Sequence, residues 1–276
     1  MEKLQLTVGD LTFDAVAAGP ADGRLVLLLH GFPQTSWSWR YVMPALADAG
    51  FRAVAPDQRG YSPGARPEGV EAYRMPHLLG DVLGMLDALG ADRADVVGHD
   101  WGAAVAWQLA TRRPDRVRTL TAVSVPHPLA FVEALRTDAD QRQRSQYMKD
   151  FQVEGAAEEA LLHGEDGLRT LFGPIPDPQP YLDLMAQPGV LTKCLNWYRA
   201  QQLADIEGIG STTVPTLHVW SDGDAALGRF GAEATAAYVD APYRFEVLPG
   251  VSHWIADEAP DQLTRWLLEH LAAFRD

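Results

Sequence analysis

The chain has 276 residues, 47% hydrophobic and 22% charged, which suits one large soluble domain with a substantial core and room for an insertion. A formal net charge of −14 and an isoelectric point of about 4.9 come with no basic run for phosphate contacts, so nucleic acid is excluded as the expected partner. A single cysteine, Cys194, excludes an internal disulfide, the opening MEKLQLTVGD lacks the apolar core of a signal peptide, and no apolar run is long enough to span a bilayer, so a cytoplasmic protein is expected.

LQLTV and LTFDAVAAG, joined by Gly9-Asp10, predict a β-hairpin. RLVLLLHGF is a continuous apolar run ending in His-Gly, as expected of a strand buried on both faces. FRAVAPD predicts a strand, MPHLLGDVLGMLDALG a helix and ADVVG a strand. WGAAVAWQLATRRP predicts a helix stopped by Pro114, and VRTLTAVSVP another strand. From about His127 to Gly210 the pattern is helical, with Pro- and Gly-rich interruptions such as GPIPDPQP, and no strand is predicted. Alternation resumes with PTLHVWSD, a helix near 230–240, YRFEVLPG and a last helix over 258–274. Repeated β-α-β units imply a mostly parallel sheet with helices on both faces. The expected organisation is an α/β core, residues 1–126 and 211–276, carrying an inserted helical cap, residues 127–210, over the strand ends.

Ligands of an open parallel sheet sit beyond the carboxyl ends of its strands. Four predicted strand ends carry chemistry: His30-Gly31-Phe32-Pro33, Gly98-His99-Asp100-Trp101-Gly102, the stretch from Ser221 to Asp224, and Ser252-His253-Trp254. A Gly-x-nucleophile-x-Gly turn between strand and helix lifts its middle side chain out of the sheet, and here that residue is Asp100. Asp is also a favoured helix cap, the plainer reading of the same residue. The order Asp100, an acid, then His253 is that of a nucleophile, acid and histidine set.

An aspartate nucleophile narrows the reaction. Attack on an ester carbonyl leads to an anhydride, whereas attack on saturated carbon leads to an ester that activated water can hydrolyse. Asp100 is ionised at neutral pH without help, so the natural task of His253 is to deprotonate that water. The hydrolysis passes through an oxyanion, and the backbone N–H groups of Phe32 and Trp101 are placed to receive it.

HGFPQTSWSWR (30–40), DQRGYSPG (57–64), GHDWGAAVAW (98–107), VPHPLAF (125–131), LNWYR (195–199) and GVSHW (250–254) resemble the α/β-hydrolase fold superfamily and, within it, the epoxide hydrolase group. The similarity spans essentially the whole chain. It implies an epoxide opened to a vicinal diol, with two cap tyrosines donating to the epoxide oxygen. Tyr147 matches one, in a helix of the form Tyr-x-x-x-Phe-Gln-x-x-Gly with Phe151, Gln152 and Gly155; Tyr198 matches the other, in Asn-Trp-Tyr-Arg. Without the resemblance, both read as core tyrosines at helical apolar spacing. The family places its acid as Gly-x-x-Asp, which points to Asp224 in Ser221-Asp222-Gly223-Asp224, with Asp222 the runner-up.

HGFP and GHDWG are shared with haloalkane and haloacid dehalogenases, which form the rival enzymatic reading. Haloalkane dehalogenases hold halide with the Trp after the nucleophile and an Asn or second Trp; Trp101 is present, but Phe32 stands at the other position. Gln34 resembles that of fluoroacetate dehalogenases, yet Trp101 and Val105 offer no carboxylate clamp. A non-catalytic ligand-binding protein on the same fold is the remaining alternative. Trp37, Met148, Phe151 and Trp254 are expected to wall the pocket, so the expected partners are a small apolar epoxide and water. His30 and His99 are expected to shape loops, His127 to mark the start of the cap, and Cys194 to pack. His77, His163, His218 and His270 show no metal-ligand spacing, and no cofactor is implied.

Overall fold

The computed structural model describes residues 1–164, 167–173 and 175–275. Strands β1 (Glu2–Val8) and β2 (Leu11–Ala18) pair antiparallel about the Gly9-Asp10 turn. The apolar run becomes β3 (Arg24–Leu29), in which successive side chains point to opposite faces. Leu27 and Leu29 therefore join one apolar cluster while Val26 and Leu28 join the other, and all four are fully buried. This is why β3 reads as uniformly apolar rather than alternating.

The remaining strands are β4 (Phe51–Pro56), β5 (Ala94–His99), β6 (Val117–Val123), β7 (Thr216–Ser221) and β8 (Tyr243–Leu248). They assemble an eight-stranded sheet in the order β1-β2-β4-β3-β5-β6-β7-β8, parallel from β4 onward. The strand order reverses at β3, which lies between β4 and β5. That reversal opens the crevice in which such sheets hold ligands, and His30 and Asp100 stand at its two sides.

Helices cover both faces. On one side, α1 (Val42–Asp48) packs Val42, Met43 and Leu46 into the cluster of Val26 and Leu28. On the other, α2 (Met75–Ala88) and α3 (Trp101–Arg112) bring Leu78, Val82, Met85, Ala106 and Leu109 against Leu27 and Leu29. Between β6 and β7 lie α4 (Pro128–Thr137), α5 (Ala139–Arg144), α6 (Tyr147–Asp150), α7 (Ala156–His163), α8 (Leu168–Phe172), α9 (Gln179–Met185) and α10 (Val190–Ala200). After β7 come α11 (Arg229–Ala234), α12 (Ile255–Glu258) and α13 (Pro260–Ala273). The helix expected over 258–274 is found as α13, while the one expected near 230–240 is α11 followed by a 3-10 turn over Thr235–Tyr238. Pro260 opens α13 and separates it from α12, since at a first helical position its missing N–H would have had no partner within the helix.

One charged group is buried beneath the sheet. Asp95, fully buried on β5, accepts two 2.6 Å bonds from Arg24 and a third, of 2.8 Å, from Thr119. Among the described residues, no helix is long and apolar enough to cross a membrane.

Leu28→Ala, at the centre of the sheet, is expected to destabilise the protein by about 2–5 kcal/mol through lost burial and a residual cavity. Urea denaturation followed by circular dichroism reads this as a lower midpoint at unchanged slope.

Candidate active site

The turn between β5 and α3 is as sharp as its sequence implies. Asp100 has φ of 52° and ψ of −123°, a conformation costing a non-glycine residue roughly 1–3 kcal/mol. The turn closes because Gly102 has no Cβ: one there would lie 2.2 Å from the carbonyl oxygen of Leu29. A Cβ on Gly31 would meet the Asp100 carboxylate at 2.3 Å, so that glycine lets the loop after β3 reach the acid. Asp100 starts α3 but makes no side-chain capping bond to it. Its Oδ1 instead accepts the N–H of Phe32 at 2.8 Å, and the N–H of Trp101 also bonds the carboxylate. The capping reading is therefore set aside.

Burial pushes the Asp100 pKa up, but His253 and the Trp101 N–H outweigh it, and the net shift is downward. His253 follows β8 and sits between two acids. Its Nδ1 is 2.8 Å from Asp224 Oδ2, and its Nε2 is 3.5 Å from Asp100 Oδ2. Asp224, after β7, is held by the N–H groups of Ala226 and Leu227 on its Oδ1, and its carbonyl accepts from Arg144. Asp222 bonds the N–H of Gly250 instead and has no part in this cluster. Burial works against the charged imidazole, yet Asp224 and Asp100 together raise the His253 pKa to about 10.

Tyr147 and Tyr198 enter from α6 and α10, their ring centroids 6.2 Å apart. Both line the same two cavities as Asp100. Burial first, and the charge of Asp100 second, raise both phenol pKa values far above the ordinary range, so the two hydroxyls keep their protons. Only Tyr147–Asp150 of the first tyrosine motif is helical; Phe151 caps that short turn, and Gly155 starts the next helix at φ of 79°. Tyr198 is held by its neighbours. Trp197 Nε1 donates to the Arg59 carbonyl at 2.9 Å, and Arg199 grips Glu158 with two 2.9 Å bonds.

One cavity, of about 270 Å³, is walled by Phe32, Phe151, Leu171, Phe172, His253 and Trp254. The other, of about 210 Å³, runs along α3 past Trp101, Ala104, Val125, Phe131 and Met148. Met148, Phe151 and Trp254 thus stand where a pocket wall is expected, and Trp37 does not. Trp37 is 37% exposed and lies against the guanidinium of Arg40, 5.0 Å from its ring, because Asp257 draws Arg40 to that side of the loop.

That ion pair belongs to a buried network that the sequence does not announce. Arg40 Nη1 donates to Asp257 at 2.7 Å, and Nη2 to the carbonyl of Pro176 at 3.0 Å. Gln34 Nε2 donates to Asp257 at 2.6 Å, while its Oε1 lies 3.1 Å from His99 Nδ1. His99 Nε2 reaches the backbone carbonyl of His253 at 2.9 Å, which Ser124 Oγ also meets at 3.2 Å. Burial, with the nearby His253, lowers the His99 pKa to about 4, so the neutral ring has one N–H for the two acceptors beside it, and burial raises the Asp257 pKa to about 6. His99 therefore does more than shape the turn: it fixes the loop carrying His253. Gln34 in HGFPQ was the visible signal; Asp257, in an unremarkable IADE, had none. His30 matches its expected role, with Nδ1 donating to the Gly31 carbonyl and Nε2 accepting from Gln58 N–H. His127 caps α4, and Cys194 is buried, its thiol pKa pushed up by that burial.

A family model described as the alpha/beta hydrolase fold matches residues 24–260. The AB hydrolase superfamily protein YfhM of Bacillus subtilis is 36% identical, the alignment covering 95% of this chain and 94% of that protein. Epoxide hydrolase A of Mycobacterium tuberculosis is 34% identical over 93% of this chain and 92% of its own. Among solved structures, an epoxide hydrolase from Bacillus megaterium in complex with an inhibitor superposes with a TM-score of 0.88 at 27% identity, covering 98% of this chain and all of that one. A family match across most of the length, relatives above 30% identity and this shared architecture agree: the chain belongs to the α/β-hydrolase fold family, within its epoxide hydrolase group.

Proposed function

We propose that the protein hydrolyses an epoxide to a vicinal diol through an ester on Asp100. The observation that carries this reading is that two protonated tyrosines share both cavities with an ionised aspartate. Helices 127–210, read as one cap, carry the tyrosines, and the core carries the aspartate.

In the first step an Asp100 oxygen attacks a ring carbon, the carbon–oxygen bond breaks, and the ring oxygen takes a proton donated by Tyr147 or Tyr198. Opening the ring without that proton would leave an alkoxide in an apolar site. In the second step His253 takes a proton from water, whose oxygen attacks the Asp100 carbonyl carbon. The resulting oxyanion lies against the N–H groups of Phe32 and Trp101. Collapse expels the diol as its alkoxide, which takes its proton from His253, and the proton left on the Asp100 carboxyl returns to the tyrosinate formed in the first step, so that both groups are restored. Asp224 keeps the imidazole oriented, and the His99–Gln34–Asp257 network keeps its loop in place. The largely apolar walls favour an apolar epoxide over an acid.

His253→Ala is expected to trap the ester. Intact mass after mixing with a pool of epoxides and haloalkanes should increase by one whole epoxide, and Asp100→Asn in the same background should remove the adduct. An alkyl group added without its halogen would make the protein a dehalogenase.

Because two phenols share one oxygen, Tyr147→Phe alone should retain measurable turnover. The Tyr147→Phe/Tyr198→Phe pair should lose about 10²–10⁴-fold in the rate of ester formation, read by stopped flow.

The His253 pKa of about 10 is raised in part by the Asp100 charge, which esterification removes. Imidazole in the ester should therefore titrate below the free protein's value. Ester hydrolysis needs the neutral base, so its single-turnover rate should rise with pH through that lower pKa. Comparison with an NMR titration of His253 in free protein gives the sign.

A further inference from the structure

We propose that the cavity along α3 ends in a hydrogen-bond donor site, built by Gln108, for a neutral oxygen acceptor on one arm of the substrate; this rests on the epoxide reading above. Asp100, Ala104 and Gln108 are spaced by four along α3 and all line this cavity. At 1.5 Å per residue the eight steps from Asp100 to Gln108 span about 12 Å, so the helix acts as a ruler from the reacting carbon to the far end. Ala104, between them, leaves room for a chain.

Gln108 is 3% exposed. Its amide orientation is set chemically: Arg112 Nε can only donate, and lies 3.1 Å from Gln108 Oε1. The amide nitrogen is therefore turned away from Arg112, and among the described residues it has no acceptor. Gln201, at the same end, gives its amide nitrogen to the carbonyls of Tyr73 and Trp197, and Gln202 is exposed. Gln108 is thus the buried side chain there with amide hydrogens to give. An unpaired buried donor favours a partner that supplies an acceptor over a hydrocarbon that leaves it bare.

Charge decides which acceptor. Asp205 lines the same end, its Oδ1 accepting from Arg74 at 2.6 Å and its Oδ2 from Gln202 N–H at 2.9 Å. That carboxylate is paired with Arg74, and Arg112 is engaged by Gln108 Oε1 and the carbonyls of Asp205 and Glu207, so what this end presents is a neutral amide donor, which suits a ketone, ester, amide or ether oxygen. The other cavity, walled by Phe32, Phe151, Phe172 and Trp254, offers no comparable donor among its described lining residues and suits a hydrocarbon or aryl arm.

The test compares a straight-chain ten-carbon terminal epoxide with ketones of the same length whose carbonyl is moved carbon by carbon along the chain. Wild-type kcat/KM should peak at one carbonyl position, about three- to tenfold above the hydrocarbon. Gln108→Leu and Gln108→Met should both abolish the peak; since each result is a ratio within one variant, it does not depend on the fraction folded. Quenching of tryptophan fluorescence by the matching diols gives the same comparison without chemistry. Protein that leaves every epoxide intact, yet prefers the ketone diol in a Gln108-dependent way, would sustain the donor site and refute the reaction. A flat wild-type profile in both assays, or a peak surviving both substitutions, would overturn the inference.

Discussion

A carboxylate that must stay ionised inside an apolar site, at a backbone conformation that resists a side chain, is the constraint around which this molecule is arranged. Asp100 is 8% exposed and sits at φ of 52°. Burial alone would neutralise such an acid. It is offset by two backbone N–H groups, by the positive end of α3 and by His253. Each of these contributions requires close approach. Gly102 lets the turn lie against β3, and Gly31 lets the Phe32 N–H come within bonding distance. The strain at the elbow is sustained by the sheet, whose β5 is paired on both sides by β3 and β6.

The same charge organises what surrounds it. His253 lies between Asp100 and Asp224, and its high pKa follows from the sum of those two fields against burial. A base poised this way is held as imidazolium until one neighbouring charge disappears, which is what alkylation of Asp100 does in the proposed reaction. The energetic logic is economical: no separate device is needed to switch the base on. Its loop, however, must not drift, and the Arg40–Asp257–Gln34–His99 network meets that need. Buried ion pairs contribute little net stability compared with apolar packing of the same volume. Here the pair ties the Pro176 carbonyl, between β6 and β7, to the loop of the base, so its value is geometric.

The position of the tyrosines makes two cavities out of one cleft. Tyr147 and Tyr198 stand with Asp100 between an aromatic chamber and a longer one along α3. In the proposed reaction, a ring opened at that junction would direct its two substituents to surroundings of different chemistry. The bond from Trp197 to the Arg59 carbonyl and the Arg199–Glu158 pair keep α10 in register, so the junction is supported from outside rather than by substrate.

Much of this was legible in the residues. The strand and helix periods located the strands and most core helices because a sheet buried on both faces demands uninterrupted apolar runs, and β3 supplies one. The proposed nucleophile and base were visible in GHDWG and GVSHW because such chemistry is tied to local turn geometry, while the proposed acid and tyrosines came from the family resemblance. What local pattern could not carry were pairings between distant segments. Gln34 and Asp257 lie 223 residues apart in sequence and 2.6 Å apart in space. The misplacement of Trp37 has the same origin, since its orientation follows from an arginine held by that distant acid. Gln108 likewise reads as an ordinary helix residue until α3 is seen to line a cavity. Sequence by itself determined the fold class and pointed to Asp100 and His253 as the proposed nucleophile and base, because backbone geometry and residue chemistry act locally. The tertiary structure alone decided which acid faces the base, what fixes its loop and where the cavity ends, because those depend on which distant side chains burial forces together.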